Sequence, residues 1–187
     1  MQFLKSFNFF LLAMLAMSFS CHTSFGQIDS EEAQKVKGEA THEFLYNPVY
    51  TYIGTLELKY EYLLNEKSGA GMRYLYTFNH EFIELRQDIS LFYRRYYGKK
   101  YAGGFYNEVF LSYNSVENTE SFIQNEQLFD VNQLSHNVGI GFGLGTKLIS
   151  KDGILLDLGV GIGYNFYRSD FNDRAIPRLI TSFGFRF

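Results

Sequence analysis

The chain has 187 residues, 17 basic and 20 acidic, with a formal net charge of −3, one Cys and two Pro. That balance offers no basic surface for a nucleic-acid backbone, and a single Cys excludes a disulfide framework within the chain. Aromatic residues make up 19%, as 15 Tyr and 20 Phe without Trp, beside 17 Gly, a composition suited to strands that meet lipid on one side and crowd a narrow lumen on the other.

In chain order, the first predicted element is a cleavable secretory signal peptide over residues 1–26. Lys5 supplies the positive start, an apolar run follows from Phe7 to about Met17, and Ser24-Phe25-Gly26 puts small residues at −3 and −1 of a cleavage site after Gly26. The apolar run falls short of the roughly 20 residues that a spanning helix needs. A competing reading makes Cys21 a lipidated residue, with small Ser20 before it. Against that, Ser18 stands where lipoprotein signals favour a branched aliphatic residue. Cleavage removes the one Cys and Lys5, leaving 16 basic and 20 acidic residues and no thiol chemistry. Residues 27–40, including Asp29-Ser30-Glu31-Glu32-Ala33-Gln34-Lys35, read as a short charged periplasmic leader.

From Thr41 onward the hydrophobic period is two, with no later shift that would mark a second domain, so 41–187 reads as one unit. Turn signals divide it into eight strands near 42–51, 55–63, 69–78, 87–97, 103–114, 135–148, 154–167 and 178–187. In the second strand Leu56, Leu58, Tyr60 and Tyr62 alternate with Thr55, Glu57, Lys59 and Glu61. In the sixth and seventh, Val138, Ile140, Phe142, Leu144 and then Ile154 through Phe166 alternate with glycines at 139, 141, 143, 145, 159, 161 and 163. A glycine-lined inner face would leave a soluble sandwich hollow but lets a small barrel close tightly, which puts the apolar face outside. Connections at 65–68, 98–101 and 150–153 are tight, whereas 79–86, 115–134 and 168–177 are long and polar. Short periplasmic turns and longer outer loops are the habit of transmembrane barrels; the connection near Tyr52-Ile53-Gly54 is the short exception. Together these features predict an all-β, eight-stranded antiparallel up-and-down transmembrane β-barrel in the outer membrane of a Gram-negative bacterium.

In the last strand Leu179, Phe183, Phe185 and Phe187 share one face. The pattern resembles the terminal strand recognised by the outer-membrane assembly machinery, and Phe183, Phe185 and Phe187 are assigned as an assembly signal. The run Glu57-Leu58-Lys59-Tyr60-Glu61-Tyr62-Leu63-Leu64-Asn65-Glu66-Lys67-Ser68, the segment Tyr93-Arg94-Arg95-Tyr96-Tyr97-Gly98-Lys99-Lys100-Tyr101, and the hairpin from Gly139 to Tyr164 resemble a family of small outer-membrane β-barrel proteins. The resemblance covers the chain after about Thr41. It implies an eight-stranded shape like that of OmpA- and OmpX-type barrels, and it carries no activity or catalytic residue with it.

Some small barrels act on lipid A, which makes His and Ser the residues to weigh. A deacylase-like site needs His and Ser at i and i+2, on one face of one strand. Here Ser135 and His136 are adjacent, and no Ser lies two positions from His42, His80 or His136. His42-Glu43 and His80-Glu81 are neighbours that diverge on a strand or sit in a loop, so they read as surface polar pairs rather than three or four converging ligands. The Gly139-x-Gly141-x-Gly143-x-Gly145 run has a strand's period and no following helix to receive a phosphate. No catalytic residue, metal site or cofactor is assigned.

If the strand phases hold, Glu57, Lys59, Glu61, Arg73, Arg94, Glu108, Lys147, Asp157 and Arg186 face the lumen. Mixed signs favour mutual pairing over a selectivity ring of one sign, and an eight-stranded interior is just wide enough for side chains to fill. The hairpin registers put Arg73 nearly opposite Lys59 with Glu57 and Glu61 diagonal, Arg94 diagonal to Glu108, and Lys147 diagonal to Asp157 with Arg186 close by, so that each hairpin supplies its own pairing. The resulting expectation is a non-enzymatic outer-membrane barrel with a structural or loop-mediated interaction role. A narrow channel for small polar solutes or ions is the alternative, and a lipid-modifying enzyme a third. Expected partners are outer-membrane lipid and the assembly machinery; the acidic loop 115–134, which carries Glu117, Asn118, Glu120, Asn125, Glu126 and Asp130, is the candidate for an external contact, against the favoured plainer reading of a solvated, variable loop. A monomer is expected, with no nucleic-acid partner.

Overall fold

A computed structural model describes residues 40–79, 85–124, 127–168 and 175–187, without the side chains of 118–133 and 168. The expected signal segment, all but the last residue of the leader, and the His80-Glu81 pair lie outside the described residues. Eight strands follow one another in the order β1 (His42–Tyr46), β2 (Thr55–Asn65), β3 (Ser68–Thr77), β4 (Leu85–Tyr96), β5 (Gly104–Gln124), β6 (Gln127–Ile149), β7 (Ile154–Arg168) and β8 (Ala175–Arg186). Each pairs antiparallel with the next, and β8 pairs with β1 to close an up-and-down barrel. The fold class read from the period-two pattern is therefore the one the chain adopts.

Following paired residues once round from Glu43 passes through Glu61, Gly71, Phe92, Phe110, Gly141 and Gly163 to Ile176. Arg186, the residue of β8 that sits beside Glu43, is ten positions further along. That stagger is the shear of the barrel, and it goes with strands tilted by roughly 40°. The tilt keeps the interior narrow, so inward side chains from all eight strands can meet.

The polarity of the two faces is the reverse of a soluble protein's. Outward positions hold exposed Tyr60 and Tyr62, then Met72, Leu91, Val109, Leu111, Ile140, Phe142, Val160, Ile162 and Leu179, while Glu43, Glu57, Lys59, Glu61, Arg73, Asp88, Arg94, Glu108, Lys147, Asp157 and Arg178 are buried inside. Along the outside the residue types are banded. Tyr60, Tyr62, Tyr93, Tyr97, Phe105, Phe185 and Phe187 gather toward the end with the tight turns, and Tyr76, Phe78, Tyr113, Tyr164, Phe166 and Tyr167 toward the other end. On β7 the aliphatic run between them, Ile154 to Ile162, covers about 20 Å along the axis at ~3.3 Å per residue and that tilt.

Two elements differ from the sequence reading. The first predicted strand, 42–51, stops at Tyr46, and Pro48–Tyr52 forms a one-turn helix, α1. Pro48 cannot donate to a ladder but suits the first turn of a helix. Asn47 caps that helix, its Oδ1 accepting from the Val49 and Tyr50 amides at 3.2 Å each. Gly54, at φ +87°, then turns the chain into β2. The second difference is at 115–134, expected as a loop. Its backbone continues β5 and β6 as a hairpin, paired in register from Ser115↔His136 to Gln124↔Gln127. With Val116, Phe122, Ile123, Leu128, Phe129 and Val131 in this stretch, β-branched and aromatic residues outweigh the loop-like polarity that its acids and amides suggest.

Candidate functional site: the charged lumen

The lumen is built from the strand period itself, because every second residue of a strand turns inward. Each of the nine residues expected to face inward does so: Glu57, Lys59, Glu61, Arg73, Arg94, Glu108, Lys147 and Asp157 are buried, and Arg186 has a side chain only 3% exposed. Glu43, Asp88 and Arg178 join them. Six carboxylates thus meet six cations among the described residues.

Arg94 is the centre of the network. Its Nε donates to Glu108 Oε2 at 2.7 Å, and its Nη1 to Asp157 Oδ2 at 2.9 Å and Glu61 Oε2 at 3.2 Å. Lys59 also donates to Asp157, at 3.0 Å. Toward the turn end, Lys147 bridges Glu61 at 2.8 Å and Glu43 at 2.5 Å, and Arg186 closes on Glu43 at 2.6 Å. Toward the loop end, Arg178 donates to Glu108 at 2.8 Å and to Ser90 at 2.6 Å; Ser90 and Ser112 both donate to Asp88, and Asp88 accepts from Arg73 at 3.2 Å. Arg73 Nε lies 3.3 Å from Glu57. Charges alternate in sign along one connected path running the height of the lumen.

The expected pairings need correction. Arg94 and Glu108 are directly opposite rather than diagonal, as are Lys147 and Asp157. Lys147 and Asp157 nevertheless choose partners on other strands, Glu43 and Glu61 for the lysine, Lys59 and Arg94 for the aspartate. Lys59 and Arg73 are opposite, as expected, and Arg73 pairs with Glu57 but not Glu61. Arg73 with Glu57 and Arg94 with Glu108 do pair within their own hairpins, as expected, whereas Lys147 and Asp157 do not. In so narrow a barrel, long side chains reach the far wall as easily as the neighbouring strand, and like charges directly opposite each other are driven apart.

Aromatic rings and glycines give this network its shape. On β6 and β7 the glycines face each other in pairs, Gly141 with Gly163 and Gly145 with Gly159. A side chain at Gly141 would run into the Phe110 ring, and one at Gly145 into Tyr106. The rings therefore lie against a bare backbone wall, and the arginines lie on the rings: Arg178 is 3.5 Å from the Phe110 centroid and Arg94 4.2 Å from that of Tyr106. Such stacking favours Arg over Lys. Tyr106 then donates to Asp157 at 2.6 Å, and Tyr96 to Glu61 at 2.5 Å.

The two ends of the lumen differ. At the turn end, Leu63, Tyr96, Ala102 and Tyr106 form one apolar cluster and Leu45, Ile149 and Leu155 another. At the loop end the charges give way to uncharged polar groups, with Asn114 donating to Asn165 at 3.0 Å and Asn137 to Asn114 at 3.2 Å. Among the described residues no group of three His, Cys, Asp or Glu side chains is placed to hold a metal ion. Ser135 is buried and its neighbour His136 is exposed, stacked on Tyr113 at 6.0 Å.

An apolar outer wall, a polar buried interior and antiparallel closure of β8 on β1 define a small barrel of the outer-membrane type. A solved structure that the chain resembles is the N-terminal β-barrel domain of OprF from Pseudomonas aeruginosa, at 14% identity over 80% of this chain and 100% of that one, with a TM-score of 0.47. No family model and no curated protein matches the chain.

Proposed function

We propose that the protein spans the outer membrane of a Gram-negative cell as a plugged, non-enzymatic barrel, contributing to the envelope as a structural element and presenting its loop end to the outside. The observation that carries this reading is the lumen itself, where six buried carboxylates neutralise six buried cations in one connected network. A selective pore would favour a ring of one sign around open space; a neutral network that fills an eight-stranded interior favours a plug. The banded exterior supports the membrane half of the proposal, since aromatic girdles flanking an aliphatic band of ~25 Å are the mark of a transmembrane barrel. With no Trp in the chain, Tyr and Phe take that place.

Fractionation of cells with protease treatment of the intact surface tests the proposal. The protein should sediment with the outer membrane, and cleavage should fall within the outer connections 79–86, 115–134 or 168–177 while the turns near Ser68, Gly98 and Gly153 stay protected. Recovery in a soluble fraction, or protection of 115–134 on intact cells together with cleavage at the turns near Ser68 and Gly153, would overturn it.

A further inference from the structure

Among the described residues, the wall of the barrel is not hydrogen-bonded over its whole height. β1 pairs with β8 at four positions, Glu43 to Tyr46, whereas every interface not involving β1 has at least nine paired residues. His42 and Phe187 exchange both backbone hydrogen bonds, while the Arg186 amide donates to Gly153 on the β7 side. Odd-numbered residues of β8 therefore turn their backbone groups toward β1. Above Phe183 these are Thr181, Leu179, Pro177 and Ala175, and among the described residues no strand receives them.

The edge is blunted at three of these positions. Pro177 has no N–H to leave unpaired, the usual device for an edge strand. The Leu179 amide donates to the Tyr50 hydroxyl of α1 at 3.3 Å, and the Thr181 hydroxyl to Asn47 Oδ1 at 2.9 Å. On its other side α1 is tied to β2, where the Asn47 amide and Nδ2 both donate to Glu57 at 3.2 Å, one to its backbone and one to its carboxylate. A five-residue helix is only ~7.5 Å long, and the open edge from Ala175 to Ser182 runs ~26 Å. The helix holds the gap at its foot and cannot cover it. Just inside lies Ser182, across from Asn47 in the continued register, buried and with no hydrogen-bond partner for its hydroxyl.

We infer that α1 is a hinged section of the wall, with Gly54 at one end and the Asn47 cap at the other, and that the seam between β2 and β8 opens sideways to admit the polar head of an amphiphile held in the bilayer. The inference rests on the membrane-spanning reading above. Access through this seam is lateral and needs no axial path through the ion pairs below it.

Two experiments on protein reconstituted in phospholipid vesicles, with Cys21→Ser where the precursor is used, test it. Ser182→Cys should react with a maleimide carried on a phospholipid head group about tenfold faster than Ser112→Cys on β5, as local opening of one seam requires. Tyr50→Phe should raise the Ser182→Cys rate further. In the unsubstituted chain, the amides of Leu179 and Thr181 should exchange with solvent deuterium well before those of Phe183 and Phe185, and Tyr50→Phe should speed Leu179 selectively. Equal labelling of the two cysteines, labelling of Ser182→Cys by a water-soluble maleimide alone, or equal protection of all four amides would overturn the proposal. The migration of unheated protein on a denaturing gel reports membrane-type closure independently, so failure of the seam and failure of the membrane reading are told apart.

Discussion

Arg94 touches three carboxylates, Glu61, Glu108 and Asp157, with its guanidinium over Tyr106. Removing a buried partner leaves its mates charged and uncompensated, at a cost on the order of 3 to 5 kcal/mol. Arg94→Ala should lose stability of that size in denaturant titrations of vesicle-reconstituted protein. Arg186→Ala should lose less, because Glu43 keeps Lys147; equal stabilities for Arg94→Ala and its parent would contradict the network. The glycine wall gives a second comparison. Gly145→Ala places a methyl against the Tyr106 ring, whereas at Gly143 the nearest atom is 3.3 Å away. Overpacking costs typically about 1 to 3 kcal/mol, so Gly145→Ala should be the more damaging, and the reverse order would show that the rings do not lie where described. Which residues face inward was legible, since Glu57, Lys59 and Glu61 alternate with Leu and Tyr. Glu43, Asp88 and Arg178 obey the same alternation beside Phe44, Ile89 and Leu179 but are isolated polar residues in mixed segments. Partner choice was legible only within hairpins, as for Arg73 with Glu57 and Arg94 with Glu108, because register ranks neighbours on adjacent strands and is silent about side chains that cross the lumen.

At the scale of elements, β2, β3, β4 and β7 lie close to their predicted spans because strict alternation and turn signals agree there. β1 fails at Pro48, where capping by Asn47 and the missing amide favour a turn of helix over four more residues of ladder. The β5–β6 hairpin was hidden by its acids, amides and hydroxyls, which read as a solvated loop when cross-strand pairing cannot be seen. β8 carries the assembly expectation. Phe183, Phe185 and Phe187 are all exposed on its outer face, at 44%, 53% and 54%. Changing Phe185 and Phe187 together to Asp should block outer-membrane insertion, beyond the roughly 2 to 4 kcal/mol upper range for charge on the outer face of a barrel. Normal membrane levels and protease resistance of the double variant would show that these rings are not an assembly signal.

At the scale of the whole molecule, a closed ladder without free ends below the seam keeps its hydrogen bonds in detergent. Unheated protein should migrate differently from boiled protein on a denaturing gel and give a β-type circular dichroism spectrum; a helical spectrum with no shift would contradict the fold. The charge balance makes the decisive claim, because six pairs of opposite charge fill the interior while apolar clusters close its turn end. Single-channel recording in a planar bilayer tests that claim most directly. The filled lumen predicts little or no current for the unsubstituted protein and measurable openings only when the centre of the network is removed, as in Arg94→Ala. A steady conductance of porin size in the unsubstituted protein would show that the lumen is a pore.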